Sequence, residues 1–180
     1  MQARYRDIVE KALAENLPAE GARPAHLSAA MRYAVLEGGG KRVRPVLCLA
    51  AAEAAGGRAE DAILPACAIE FLHSYTLVHD DLPAMDGDET RRGLPSTWAK
   101  FGEATAILAG DALQALAFQT AARAPRNAAA IVEVLGEMGV GVVRGQVEEL
   151  ASLRVSELEG GIVGTVRTES REEMVSRLLL

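Results

Sequence analysis

The chain has 180 residues, a length that corresponds to one domain with a substantial hydrophobic core. Its net charge of −6 argues against general nucleic-acid binding, which requires a basic surface. Aromatic residues make up only 4% of the chain, a composition that favours packed helices over β-sandwiches.

The N-terminal segment and the cysteines give no sign of secretion or of a membrane anchor. Residues 1–16 are charged and lack the apolar stretch of a secretory signal peptide. No run approaches the roughly 18 apolar residues that cross a membrane. Cys48 and Cys67 have no metal-site spacing, and we interpret them as buried, reduced thiols. We therefore expect a soluble, cytoplasmic protein.

Hydrophobic periodicity predicts six helices, and proline or glycine marks the breaks between them. Pro45 is expected in the first turn of the third helix, and Pro83 forbids continuation of the fourth. No apolar–polar alternation of any length indicates a strand, so the predicted fold class is all-α. The predicted helices cover residues 3–16, 27–37, 46–55, 61–81 (beginning between Asp61 and Pro65), 102–122 and 128–150.

Residues 151–180 differ from the rest of the chain. Their periodicity is weak around Gly160, Gly161 and Gly164, and the sequence closes on three leucines. We therefore separate residues 1–150, a helical region, from residues 151–180, an atypical tail that periodicity explains poorly.

The most concentrated charge lies in the segment HDDLPAMDGDETRRG, residues 79–93. Asp80 and Asp81 close the fourth predicted helix, where the helix dipole is negative and two carboxylates need a compensating cation. Magnesium suits such a site, because it takes one or two carboxylates and completes its shell with phosphate oxygens. A loop after Pro83 can return Asp86 to the same ion.

Basic residues form a second set. Arg91 and Arg92 follow the acids directly, while Lys41, Arg42 and Arg44 follow three glycines on a loop that could approach an anion closely. Arginine suits bidentate contact with phosphate. Acids that hold metal, with separate basic groups, describe a site for two polyanions, one bound through cations and one bound directly.

Each of these features also has a simpler interpretation. An acidic loop followed by arginines is commonly solvated surface, and glycines 38–40 are commonly a helix stop. His73 is more often a packing residue than a ligand. The occurrence of all of them in one order favours a functional site.

Four segments in that order carry a family resemblance. GGGKRVRPVL, FLHSYTLVHDDLPAMDGDETRRGLPSTW, LAGDALQALAF and GQVEEL resemble the trans-isoprenyl diphosphate synthases, in particular the bacterial farnesyl diphosphate synthase branch. The agreement spans about residues 25–150, and the DDLPAMD motif with its two-residue insertion is its most specific part. The resemblance implies a helical bundle of the isoprenoid synthase type, incomplete at the C-terminus, and usually a homodimer.

The resemblance also implies a reaction and a cofactor. Isopentenyl diphosphate would condense with an allylic diphosphate, dimethylallyl or geranyl, to give a short-chain product, farnesyl diphosphate being expected. Mg²⁺ would absorb the charge of the leaving diphosphate. No nucleic-acid partner is expected.

Individual residues match the family's functional positions. Asp80 and Asp86 match metal ligands, Asp81 a supporting acid and Arg91 a contact to the allylic diphosphate. Tyr75 and Thr76 match positions that set product length, where an aromatic ring favours fifteen carbons over twenty. Four residues match the pocket for isopentenyl diphosphate: Lys41, Arg44, His73 and Arg92. Gln146 matches a glutamine that faces the cavity near the substrates.

The chain departs from the family pattern after GQVEEL. A Lys-Thr-Gly segment is expected there, but the sequence has GTVRTES, and no second aspartate-rich motif follows. Three alternatives stay open. The chain could be a weakly active or inactive homologue, a binding or regulatory partner of a full-length synthase, or half of a site completed by dimerisation.

Overall fold

The computed structural model describes residues 2–37 and 39–159, and helices dominate this part of the chain. A two-stranded hairpin and a 3₁₀ turn at Ala59–Ala62 complete it. The predicted all-α class is thereby confirmed. The helices are α1 Gln2–Asn16, α2 Ala25–Leu36, α3 Val43–Ala54, α4 Ile63–Asp80, α5 Thr97–Phe101, α6 Glu103–Ala122 and α7 Ala128–Glu159; the strands are β1 Thr90–Arg91 and β2 Leu94–Pro95.

Most helix ends lie within a few residues of their predicted positions. Pro45 lies in the first turn of α3, as expected, because its missing N–H costs nothing there. Since α3 begins at Val43, Arg44 belongs to a helix and not to the glycine-rich loop. The helix α7 continues to Glu159, nine residues past its predicted end, while the rest of the predicted tail, residues 160–180, lies outside the described residues.

The hairpin and α5 were not predicted. Arg92 and Gly93 join the two strands with φ angles of 53° and 80°. Positive φ at both central residues defines the turn type that best joins antiparallel strands. Strands of two residues are too short to show an apolar–polar alternation, so the sequence pattern gave no indication of them. Ser96 caps α5 by accepting a hydrogen bond from the Ala99 N–H.

The chain divides into two compact units, residues 1–140 and 141–180. In the first unit α4 is the central helix, packed against α1, α2, α3 and α6. Phe71 on α4 and Leu113 on α6 are fully buried. All of the buried apolar side chains that the structure describes lie between Tyr5 and Leu135. In the second unit the described part is the continuation of α7.

Cys67 is buried as expected, whereas Cys48 is less buried than expected. Cys48 is half-buried and Cys67 is buried, and both are free thiols. Burial raises the pKa of the Cys67 thiol to about 12, which keeps it protonated. No helix within residues 2–37 or 39–159 has both the length and the hydropathy that crossing a bilayer requires.

Candidate metal and diphosphate site

The turn after α4 brings two of the predicted metal ligands together. Asp80 is the last residue of α4, and Pro83 prevents the helix from continuing. The chain then folds back, so that the Asp86 N–H donates a 2.9 Å hydrogen bond to the Asp80 carbonyl. Gly87, at φ 69°, closes the same turn with an N–H bond to the Leu82 carbonyl. The predicted return of the loop toward Asp80 is therefore present in the backbone.

The side chain of Asp81 pairs with Arg91. Its side chain is 2% exposed, and both carboxylate oxygens accept hydrogen bonds from Arg91 Nε at 2.8 Å. The hydrogen bonds that Arg91 donates to Asp81 are the main cause that raises the pKa of Arg91. Asp81 thus orients Arg91, while the role predicted for it in support of the metal ligands stays a prediction.

The carboxylates of Asp80 and Asp86 suit Mg²⁺ better than a metal ion whose ligands must all come from the protein. In the described part of the chain, no three histidine, cysteine or acidic side chains are close enough to hold an ion by themselves. Mg²⁺ does not need three, because water and substrate phosphate oxygens complete its shell. Asp80 and Asp86, on one turn, supply carboxylates of the kind that this ion takes. Their metal-binding role stays a prediction.

Basic residues from the start of α3 and from the hairpin meet His73 on α4. Arg44 Nη1 lies 3.2 Å from His73 Nε2, which links α3 to α4. Arg92, from the hairpin, lies against the glycine-rich loop, because a Cβ added to Gly40 would be 2.6 Å from its Nη1 atom. Lys41 is exposed and directly follows Gly40. The structure therefore brings together Arg44, His73 and Arg92, three of the residues predicted to bind isopentenyl diphosphate.

The surroundings of His73 favour its neutral form. Burial lowers the pKa of His73 first, and the charges of Arg44 and Arg92 lower it further, against an opposite effect of Glu70. A neutral imidazole can accept a hydrogen bond from the Arg44 guanidinium. The cluster keeps its positive charge on the arginines, which are suited to phosphate.

The hairpin that carries Arg91 and Arg92 is closely packed. The Tyr33 hydroxyl donates a 2.7 Å hydrogen bond to the Pro95 carbonyl, and the Trp98 indole N–H donates one to the Asp88 carbonyl. A cavity of about 40 Å³ lies between the hairpin, α2 and α4, room for only a few water molecules. Both arginines are thus presented by a fixed turn.

The predicted product-length residues lie one turn before the acids. The Tyr75 ring meets His79 edge to face, with centroids 4.9 Å apart. His79 Nε2 lies 3.1 Å from the Ile107 carbonyl on α6. The Thr76 hydroxyl donates to the His73 carbonyl within the helix. Burial, followed by the charges of Asp111 on α6 and Asp80 on α4, raises the pKa of Tyr75.

Gln146 falls in the second unit, on the continuation of α7. Its predicted place beside the substrates is therefore not tested by the geometry of the first unit. The role of Gln146 stays a prediction.

Sequence reasoning missed how Arg42 is used. It was grouped with Lys41 and Arg44 as an anion contact, but its side chain is 1% exposed and pairs with Glu10 and Glu70. An arginine buried in this way is not available to a substrate. The signal was Glu70, the one acid in the apolar stretch of α4, since a buried carboxylate requires a partner.

Comparisons with known proteins assign the chain to a family. A family profile described as polyprenyl synthetase matches residues 24–167. Geranylgeranyl pyrophosphate synthase 4 of Arabidopsis thaliana is 43% identical over 161 residues, covering 87% of this chain and 42% of that protein. A probable farnesyl diphosphate synthase of Sinorhizobium fredii is 60% identical over 114 residues, covering 63% of this chain and 34% of that protein.

Solved structures support the same assignment of fold. The crystal structure of a geranyltranstransferase from Thermotoga maritima superposes with a TM-score of 0.79 at 31% sequence identity, covering 98% of this chain and 61% of that one. The predicted isoprenoid synthase fold is confirmed. The chain spans half or less of the length of the curated relatives that it matches.

Proposed function

The chain belongs to the polyprenyl synthetase family, and from this premise we propose that it is a trans-prenyl diphosphate synthase. In this proposal isopentenyl diphosphate condenses head to tail with an allylic diphosphate, dimethylallyl or geranyl. The observation that carries it is the meeting of Arg44, His73 and Arg92 at the helix α4, whose C-terminal end, seven residues after His73, leads into the turn that joins Asp80 to Asp86.

The acidic and basic groups divide the two substrates between them. Asp80 and Asp86 would hold Mg²⁺, which supplies positive charge to the departing diphosphate when bound. Arg91, oriented by Asp81, contacts the same allylic diphosphate. Lys41, Arg44, His73 and Arg92 receive isopentenyl diphosphate. Fixed charges of this kind favour the transition state, because they need no reorganisation as the leaving group gains charge.

The length of the product is a finer part of the proposal. Tyr75 and Thr76 lie five and four residues before Asp80, and the Tyr75 ring is held against His79. A ring held there limits the space beyond the acids, which favours a fifteen-carbon product. The relatives bear both geranylgeranyl and farnesyl names, so the product must be measured directly.

The test is condensation of labelled isopentenyl diphosphate with geranyl diphosphate in the presence of Mg²⁺, with products separated by chain length. We expect farnesyl diphosphate from the wild-type chain. We expect Asp80→Ala to lower turnover by about 100-fold or more. Glu89→Gln, which removes an exposed acid from the same loop, is the matched control and should retain turnover. Equal activity in Asp80→Ala and the control would contradict the metal assignment.

A second candidate function is that of a binding or regulatory partner of a longer synthase. Ile107 and Leu108 on α6 are 43% and 59% exposed, and Val134 and Met138 on α7 are 53% and 43% exposed. Exposed apolar side chains of this size are typical of a surface that another chain covers. Either a homodimer or association with a longer synthase would cover them. Product formed only when a longer synthase is added would favour this second function.

A further inference from the structure

Arg42 is held from three sides in the interior of the first unit. Its Nη1 donates to Glu70 Oε1 at 2.7 Å and its Nε to Glu10 Oε1 at 2.9 Å. Its Nη2 donates to the Val35 carbonyl at 2.6 Å. One guanidinium therefore joins α1, α2 and α4. A buried arginine is tolerated only when its donors are satisfied in this way.

The backbone of Arg42 is as specific as its side chain. Arg42 precedes α3 with φ 51° and ψ 33°, a left-handed conformation that is uncommon for a residue other than glycine. Such a conformation persists only where the surroundings determine it. It fixes the direction in which the chain begins α3, and hence the position of Arg44 two residues later.

The partners of Arg42 lie directly beside the basic cluster. Glu70 precedes His73 by three residues, so the two share a face of α4. A Cβ added to Gly40 would be 3.1 Å from Arg42 Nη1 and 2.6 Å from Arg92 Nη1, so both guanidinium groups contact this glycine. The Arg42 side chain and its partner Glu70 therefore lie next to the basic cluster.

We propose that Arg42, clamped between Glu10 and Glu70, is a positioning residue that fixes Lys41 and Arg44 relative to His73 and thereby sets the affinity for isopentenyl diphosphate. Arg42 is too deeply buried to contact a substrate and acts only through its neighbours. The inference rests on the proposed function, because it concerns the pocket assigned there to one substrate.

The test compares Arg42→Lys with Arg32→Lys in the full chain. Lysine keeps the charge at position 42, but it lacks the planar guanidinium that donates to Glu10, Glu70 and the Val35 carbonyl together. Arg32 is the matched control, because its guanidinium bonds the Ala14 and Pro18 carbonyls away from the cluster. We expect Arg42→Lys to raise the KM for isopentenyl diphosphate about tenfold, as misplaced contact groups do, with the KM for geranyl diphosphate unchanged. The control should change neither value.

Kinetic and equilibrium readouts separate positioning from loss of folding. A purely structural defect reduces the amount of active enzyme and lowers kcat, but it leaves both KM values as they were. If Arg42→Lys does not fold, Glu70→Gln removes only the charge of one partner and should raise the same KM. An unchanged KM for isopentenyl diphosphate in a folded variant would overturn the inference.

Binding of inorganic pyrophosphate, followed by calorimetry, distinguishes this inference from the proposed function. If the wild-type chain makes no product but binds pyrophosphate about tenfold more tightly than Arg42→Lys, the proposed reaction fails and the positioning role stands. If the wild type makes product and both proteins bind pyrophosphate and isopentenyl diphosphate equally well, only the positioning role fails. If the wild type neither turns over nor binds pyrophosphate, both are overturned.

Discussion

His73 is the residue at which the charge of the basic cluster can be altered by pH. Burial and the two neighbouring arginines lower the pKa of His73 below its usual value of 6.5. In the unfolded chain these influences are absent, so the unfolded state binds the proton more readily. Stability therefore falls as pH decreases, beginning near the unfolded pKa and continuing to the folded pKa.

We expect His73→Gln to weaken this dependence on pH. As the pH falls below about 7, the free energy of unfolding of the wild type should decrease more steeply than that of the variant, because glutamine cannot acquire the charge. Urea unfolding at several pH values measures the difference. Parallel curves for the two proteins would show that His73 does not titrate differently in the folded state.

At the residue scale, some assignments followed from the sequence and others could not. The return of Asp86 toward Asp80 was predictable, because Pro83 ends the helix and the chain must turn. The burial of Arg42 was not predictable, because a charged residue next to glycines is typical of an exposed loop. Its partners lie 28 and 32 residues away, and only the packing of α1 and α4 brings them to it.

At the element scale, the crossing of α4 and α6 depends on one small residue. Gly110 on α6 lies against the His79 ring, which would collide with a side chain at that position. His79 in turn contacts the Ile107 carbonyl and the Tyr75 ring. The absence of a Cβ at position 110 therefore leaves room for the His79 ring between the two helices.

We expect Gly110→Ala to destabilise the protein by about 1–3 kcal/mol, since the added methyl group must displace His79 or separate the helices. Gly136→Ala is the matched control. A Cβ on Gly136 would make only an ordinary contact, 3.9 Å from the Phe118 ring. In a helix interior that change should be neutral or stabilising by up to about 1 kcal/mol. Urea denaturation of both variants tests the opposite signs, and a neutral Gly110→Ala would contradict the close approach.

Elements with strong periodicity were the predictable ones. The apolar stretches of α3, α4 and α6 gave their positions to within a few residues, because proline and glycine interrupt the pattern at their ends. The hairpin and α5 depend on a turn with positive φ at Arg92 and on a serine cap. Neither produces a hydrophobic period, so a sequence pattern could not reveal them.

At the scale of the whole molecule, the core and the candidate site share one framework. The central helix α4 carries buried Phe71 on its core side, His73 in the basic cluster and Asp80 at its end. Burial of α4 by its neighbours fixes the spacing between the basic cluster and the acidic turn. The resemblance to a known family supplied the roles of these residues, while the packing of α4 accounts for their meeting.

We expect the first unit to fold without the second. The buried apolar side chains that the structure describes all precede residue 140, so a fragment of residues 1–140 retains them. Its thermal unfolding, followed by circular dichroism, should be cooperative, with a Tm within about 5 °C of the full chain, a shift that corresponds to about 1–2 kcal/mol. A fragment of residues 1–122, which lacks α7 and so loses Leu135 from the core, is the control and should melt at a clearly lower temperature. A non-cooperative transition in residues 1–140 would mean that the core needs the remainder of the chain.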